Sequence, residues 1–368
     1  MKFSIQRDSL LEALQKTQSV VEKRNTVQIL SNILCTVKGN QLSLSATDLE
    51  VGIRVTCPVQ TQQEGQLTLS AKHFLDIVKE LPSKELHVSR KDNNWVEIVC
   101  GKTRFNVVSM AAEDYPALPA FEEKSYFEAK SDALAEMIDR TIFAVSMDAT
   151  RYHLNGVFFE HLENNLMRMT ATDGHRLSFS DSEVFLKMPE IKRGIIIPKK
   201  GLTEFRKLLD KKDSTVGLAF ERGYLFAFFN DTHLFIRLIE GEYPDYRQVI
   251  PKGSDKVVTM DREMFCSALK RVSLLAHEKS RGIKLAIQDN VMTVSSSNPD
   301  MGDAREELDV EFKSDPIEVG FNARYLLDCL AVVNTEKLQI VLKDRLSPGI
   351  LRGQGQDSHT YVIMPMRI

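Results

Sequence analysis

The chain has little of what marks membrane, secreted or catalytic proteins. No run of about 18 apolar residues occurs in its 368 residues, so no segment reads as a membrane-spanning helix. The opening stretch, Met1-Lys2-Phe3-Ser4-Ile5-Gln6-Arg7-Asp8, carries charges where a signal peptide needs an apolar run. Five cysteines (Cys35, Cys57, Cys100, Cys266 and Cys329) are scattered, odd in number and free of any C-x-x-C pairing. That usage predicts buried, reduced thiols in a cytosolic protein. Neither sign of charge dominates. Lys and Arg number 48 against 51 Asp and Glu, a net −3, whereas a protein gripping nucleic acid through many phosphate contacts is usually basic.

Catalytic signatures are missing as well. Gly101-Lys102-Thr103 looks like the end of a phosphate-binding loop, but Val96 stands where that loop needs its first glycine, and the flanks read as strand. His277-Glu278-Lys279-Ser280-Arg281 lacks the second histidine of a zinc-protease helix. Gly353-Gln354-Gly355-Gln356 reads as a surface turn. The eight histidines are dispersed, with no metal-ligand spacing. No catalytic residue, metal or cofactor is expected.

What is there is a repeat. Ala46-Thr47-Asp48, Ala171-Thr172-Asp173 and Ser296-Ser297-Asn298 recur with a step of 125 residues. Each copy ends an alternating apolar run: Leu42 and Leu44, Met167 and Met169, Met292 and Val294. Each third also opens with a short extended segment and an amphipathic helix. The helical sets are Leu10, Leu14, Thr17 and Val21; Leu134, Ile138 and Thr141; and Phe265, Leu269 and Val272. Asp8 or Ser9 is the expected cap of the first of these helices, with Ser131-Asp132 and Asp261 placed likewise before the other two. A strand-then-helix unit follows in each third: Leu67-Thr68-Leu69 into Phe74–Leu81, Ile195-Ile196-Ile197 into Leu202–Leu209, and Ile317-Glu318-Val319 into Tyr325–Val333.

Most of the remaining sequence alternates with period two, as in Leu86/Val88, Trp95/Ile98, Phe105/Val107 and Val157/Phe159. Two helices and many strands per third predict an α+β fold, with helices gathered on one face of antiparallel sheet. Asp114-Tyr115-Pro116 and Glu242-Tyr243-Pro244 mark boundaries or edge turns, because proline cannot donate to a ladder. Linkers are expected near 118–124 and 251–256. A basic stretch runs from Lys192 to Lys212 and includes Lys199, Lys200, Arg206 and Lys207.

With the triplication and Ala171-Thr172-Asp173-Gly174-His175-Arg176-Leu177 in hand, the chain resembles the bacterial DNA polymerase III beta sliding clamp family over essentially its whole length. Further markers are Ala46–Glu50, Leu154-Asn155-Gly156, Tyr243-Pro244-Asp245-Tyr246-Arg247, His277-Glu278-Lys279 and Met364-Pro365-Met366-Arg367. The resemblance implies three repeated clamp-type domains, 1–122, 123–252 and 253–368. Helices would line a central hole with antiparallel sheets outside, and two chains would close head to tail into a homodimeric ring.

The implied function is non-catalytic: a processivity factor that encircles double-stranded DNA without regard to sequence. Implied partners are the replicative polymerase catalytic subunit, an ATP-driven clamp loader, and other polymerases and repair proteins that carry short linear motifs. The implied location is the cytoplasm, at the nucleoid. A ring retained by topology needs only a mildly positive lining, which fits basic helices in a chain of net charge −3.

By match to the family, Arg24 and Lys72 are DNA contacts, as are Tyr152 and His153; Lys199 and Lys200 join them on charge and placement. The implied partner pocket comprises Leu154, Thr172, Gly174, His175, Arg176, Leu177, Pro244, Val249, Leu346, Pro348, Val362, Met364, Pro365, Met366 and Arg367. Its apolar floor and adaptable methionines suit several peptide sequences. Gln248 and Pro348 depart from the usual family residues near the rim. Phe105, Leu274 and Leu275 match dimer-interface positions, with Lys102 and Arg104 facing Glu306 and Glu307 across the seam. The competing reading is a DNA-binding regulator or repair enzyme of repeated domains. It requires a base-reading helix or a catalytic constellation, and the sequence offers neither.

Overall fold

The structure is a computed structural model that describes residues 1–21, 27–119, 126–163, 165–185, 194–209, 214–253 and 255–367. Six α-helices lie among them: α1 Arg7–Gln18, α2 Ala71–Glu80, α3 Ser131–Thr141, α4 Lys199–Leu208, α5 Arg262–Val272 and α6 Ala323–Leu330. All described strand pairs are antiparallel. The chain forms two compact units. One gathers the described residues of 1–131, Phe185 and 200–238, and the other those of 132–184, 194–199 and 239–367.

The first unit holds two sheets. Five strands run in the order Gln60–Gln63, Lys2–Gln6, Glu85–Arg90, Trp95–Cys100 and Thr103–Val108. Eight more form a second sheet in the order Phe127–Lys130, Thr215–Glu221, Tyr224–Phe228, Thr232–Arg237, Val51–Pro58, Gln41–Thr47, Asn32–Lys38 and Gly65–Ser70. The sheet crosses from the second third of the chain to the first where Leu234 pairs with Ile53 and Ile236 with Val51. Helix α1 buries Leu10, Ala13, Leu14 and Thr17, at the spacing of one helix face. The Thr17 hydroxyl bonds the carbonyl of Ala13 at 2.9 Å, and Thr141 repeats this on Met137 at 2.7 Å.

The second unit is built alike. Its eight-stranded sheet has the order Ile195–Pro198, Gly156–His161, Met167–Thr172, Arg176–Ser182, His359–Ile363, Gly349–Gly353, Lys337–Leu342 and Lys256–Asp261. Here Leu177 opposite Val362 joins the second third to the last. A four-stranded sheet follows, Gly302–Asp309, Val291–Asn298, Gly282–Gln288 and Ile317–Asn322. Phe265, Leu269 and Val272 of α5 and Leu326 and Leu330 of α6 share a core with Ile283, Leu285, Met292 and Val294. Each such side chain contributes roughly 1.5–3 kcal/mol by leaving water.

Tight turns set the hairpin registers. Arg222-Gly223 and Asp289-Asn290 hold both central residues at positive φ, as two-residue hairpin turns of the required hand need. Gly101-Lys102 joins two strands, and Gly355 turns at φ +76°, so both glycine motifs are hairpin or surface turns.

Two expectations are corrected. Neither Asp8 nor Ser9 caps α1: the cap position is Gln6, without a side-chain bond, and Asp8 lies in the first turn, bonded to Arg7 and Ser83. Trp95 and Ile98 do not share a face. Ile98 is buried with Val96, while Trp95 is 45% exposed, because a spacing of three residues places two strand side chains on opposite faces. The expected linkers lie partly outside the described residues, as do Lys192, Arg193, Lys211 and Lys212 of the basic stretch.

Candidate functional site

The repeated triplet builds the same turn twice. Thr47 Oγ1 accepts from the Leu49 amide at 3.0 Å, and Thr172 Oγ1 from the Gly174 amide at 3.1 Å. Asp48 Oδ1 accepts from the amides of Glu50 and Val51 at 2.9 and 2.7 Å, and Asp173 Oδ1 from those of His175 and Arg176 at 2.9 and 3.0 Å. Both threonine hydroxyls donate to the carbonyl four residues on. The third residue of each turn has positive φ, +79° at Leu49 and +87° at Gly174. In the third copy Asn298 Oδ1 bonds the Asp300 amide at 3.1 Å.

After Gly174 the chain runs beside its own C-terminal segment. His175 is exposed, and its carbonyl accepts from the Met364 amide at 2.9 Å. Two residues on, the Met366 amide bonds the Gly320 carbonyl at 2.8 Å. The segment Met364-Pro365-Met366 is thus strung between two strands, half-buried, with Arg367 exposed beyond it. Beside it lies a cavity of about 450 Å³ lined by Lys284, Glu318, Val319, Gly320, Arg345, Leu346, Met366 and Arg367. Leu346 is 65% exposed in a loop held by Asp344, which accepts from the amides of Leu346 and Ser347 at 2.8 Å each. Those amides, with the Ser347 hydroxyl, hold the Asp344 carboxyl below its usual range. Pro348 is half-buried at the foot of the loop.

Arg176 is fully engaged. Its guanidinium bonds Asp173 at 3.0 Å, Asp328 of α6 at 2.7 Å and the Phe143 carbonyl at 2.7 Å, and lies over the Tyr325 ring at 4.5 Å. It fixes the turn to α6. Leu177 and Val362 are 3% and 1% exposed, so both belong to the core. Leu154 is buried and Thr172 half-buried.

The segment 243–250 packs on Leu177, Phe179 and Val362 through Tyr243, Tyr246 and Ile250. Pro244 and Val249 are exposed on it. Tyr243 stacks on Phe158 with ring centroids 4.9 Å apart. Asp245 caps the short 3₁₀ turn Tyr246–Val249, and Gln248 donates back to Asp245 at 3.1 Å. Tyr246 is buried in one cluster with Leu177, Phe179 and Val362.

A polar chain under this segment is not legible in the sequence. Tyr246 donates to Glu160 at 2.5 Å and accepts from Arg168 at 3.3 Å; Arg168 pairs with Asp181 through two bonds of 2.6 Å. Glu160 and Arg168 are cross-strand partners, as are Arg168 and Asp181. An acid–base–acid row on three adjacent strands is the signal, readable only once their register is known.

Of the nucleic-acid candidates, Tyr152 is 57% exposed and meets His153 edge-on at 5.6 Å. Lys72 is exposed on α2 and lines a depression of about 850 Å³ with Gln15, Gln18 and His73. Lys199 lies 3.7 Å from the Met147 sulfur; burial and the Arg176 charge lower its pKa. Lys200 forms an ion pair with Asp48 of the first turn. Arg24 lies outside the described residues.

Of the interface candidates, Phe105 lines a cavity of about 460 Å³ with Leu69, Phe74, Ile77 and Val108. Leu274 is 75% exposed and Leu275 half-buried. Glu306 bonds Arg271 and Glu307 bonds Arg305, both on exposed surface, and Arg104 lies 3.5 Å from Glu97. Strands Thr103–Val108 and Gly302–Asp309 each end a sheet with one open edge. Among the described residues no three His, Cys, Asp or Glu side chains gather as a metal-binding group.

Comparison with known proteins places this arrangement. Residues 1–119, 128–245 and 247–367 match the N-terminal, central and C-terminal domains of the DNA polymerase III beta subunit. The beta sliding clamp of Pseudomonas aeruginosa is 35% identical and that of Escherichia coli 32% identical, each with the whole of both chains covered. A sliding clamp structure from Pseudomonas aeruginosa superposes with a TM-score of 0.94 at 35% identity, and one from Caulobacter crescentus with 0.93 at 35%, again over 100% of both chains. A further Pseudomonas aeruginosa clamp, solved bound to griselimycin, gives 0.93 at 35% over 100% of both chains. The chain belongs to the DNA polymerase III beta subunit family, the beta sliding clamps.

Proposed function

We propose that two copies of this protein close into a ring around duplex DNA and hold the replicative polymerase to its template. The observation that carries the reading is the end-to-end match of all three thirds to sliding clamps. The proposed domains are 1–122, 123–252 and 253–368. The ring closes head to tail where the open edge Thr103–Val108 of one copy meets Gly302–Asp309 of the other. Phe105, Leu274 and Leu275 are buried there, with Lys102 and Arg104 facing the acidic Glu306-Glu307.

Retention then comes from topology. Phosphate contacts add sequence-independent, salt-sensitive affinity, and too many would brake sliding. Lys72, Tyr152 and His153 are exposed or half-exposed and suit light contact, with Arg24, Lys199 and Lys200 contributing positive potential. The groove between His175 and Leu346 receives short linear motifs from the polymerase, the loader and repair proteins. Apolar motif side chains lie over Leu177 and Val362, between the Pro244–Val249 wall and Met364–Met366. The protein carries out no chemistry itself and works in the cytoplasm at the nucleoid.

The test is retention on DNA after loading. The protein should persist on circular duplex and run off once the circle is cut. Equal persistence on both forms overturns the ring.

A further inference from the structure

The groove reading leaves one feature unexplained: a polar chain buried beneath the 243–250 wall. Protein interiors are costly places for charge, and a carboxylate or guanidinium is kept there only when its partners are fixed. Glu160 is 9% exposed, yet its two oxygens are both used, one by the Tyr246 hydroxyl at 2.5 Å and one by Arg247 at 2.8 Å. Arg168 holds the same hydroxyl at 3.3 Å, pairs with Asp181 through two bonds, and lies 4.1 Å over the Phe179 ring. Burial and the bond to Glu160 push the Tyr246 hydroxyl above its ordinary pKa, so it stays a donor.

Every member of this chain except Tyr246 and Arg247 stands on the sheet, on Gly156–His161, Met167–Thr172 or Arg176–Ser182. Tyr246 opens the turn that carries Val249, and its ring is buried with Leu177 and Val362, the two residues under the groove. One side chain therefore touches the floor and holds the wall.

We propose that Tyr246, held by Glu160 and Arg168, is a positioning residue for motif binding: it sets the height and angle of the Pro244–Val249 wall over the Leu177–Val362 floor. It acts through its neighbours and makes no contact with the peptide. The inference rests on the groove reading given above. A wall cut loose from the sheet samples other positions, and the fraction of time spent in the binding position lowers apparent affinity directly.

The experiment measures binding of a fluorescein-labelled peptide from the C-terminal tail of the cognate replicative polymerase to the full-length protein, together with each variant's unfolding midpoint. Tyr246→Phe keeps the ring and removes the hydroxyl's bonds to Glu160 and Arg168, and is expected to weaken binding about five- to tenfold. Its unfolding midpoint should stay within about 2 °C of the parent. Glu160→Ala should weaken binding at least as much, and the double variant should lose less than the sum of the two, because they share the Tyr246–Glu160 bond while each also breaks a further one, to Arg168 or to Arg247. Glu160→Gln keeps an acceptor for the hydroxyl and should recover most of the loss.

Binding by Tyr246→Phe within twofold of the parent overturns the proposal. So does an additive double variant, or a loss of affinity that merely tracks a fallen midpoint. Leu346→Ala with Met366→Ala reads the groove separately. If that pair binds the peptide normally, the groove reading fails and the anchor falls with it. If the pair abolishes binding while Tyr246→Phe binds normally, the groove stands and the anchor alone is wrong.

Discussion

Leu49 and Gly174 occupy the same step of the repeat and the same left-handed backbone, yet only one is glycine. A side chain there costs roughly 1–2 kcal/mol, and glycine's freer unfolded chain returns roughly 0.5–1 of that. Leu49→Gly should therefore stabilise the protein by up to about 1 kcal/mol, read as a rise in the urea midpoint. The converse change, Gly174→Leu, should destabilise by up to about 1 kcal/mol through the backbone alone. It should also weaken motif binding, since a Cβ at Gly174 meets the Arg151 guanidinium at 2.9 Å. Equal midpoints for both variants and the parent would remove strain from the account. At this scale the sequence is legible in part. The step of 125 residues announces equivalent turns, but the conformation of Leu49 is hidden, because bulky residues rarely adopt it. The roles of Arg176 and Tyr246 were hidden for another reason. Their partners Asp328, Glu160 and Arg168 lie far away in sequence, and only the fold brings them near.

Among the elements, α5 follows its sequence closely. Asp261 caps it, accepting from the Met264 amide at 2.8 Å, and Phe265, Ala268, Leu269 and Val272 are buried. Asp261→Ala should cost about 1 kcal/mol, since it removes both a bond to an orphan amide and a negative charge at the helix N-terminus. A thermal midpoint unchanged by the substitution would count against the cap. Helix α1 shows why caps are harder to place than helices. Two good capping residues follow its true start, and Asp8 bonds Arg7 and Ser83 instead. Alternation located the strands without giving their neighbours. Val51–Pro58 pairs with Thr232–Arg237 across a large separation in sequence, and nothing in either segment specifies that partner.

For the molecule as a whole, thiol chemistry offers a direct check on the packing. Cys35, Cys57, Cys100 and Cys329 are buried, and Cys266 is partly exposed. Burial pushes the Cys57 thiol up to about 11 and raises Cys35 and Cys329 further. At pH 8 a disulfide reagent should modify one thiol in the native protein and five after denaturation, because the thiolate is the reactive form. Rapid reaction of several thiols in the native state would contradict these cores.

The two eight-stranded sheets carry a consequence for anyone who would divide the chain. Among the described residues, every strand of the central third lies in a sheet shared with a neighbouring third. The central third lends Thr215–Arg237 to strands of the first third and Gly156–Ser182 to those of the last. Residues 128–245 read as a self-contained domain in sequence, yet cut free they would present two raw edges, Thr232–Arg237 and Arg176–Ser182, each stripped of its ladder. Unprotected edges recruit other chains. The excised central fragment should therefore assemble beyond a dimer on a sizing column, while the full chain stops at the proposed two-copy ring. The repeat copies a sequence three times, yet each eight-stranded sheet is a seam, half of one copy welded to half of the next.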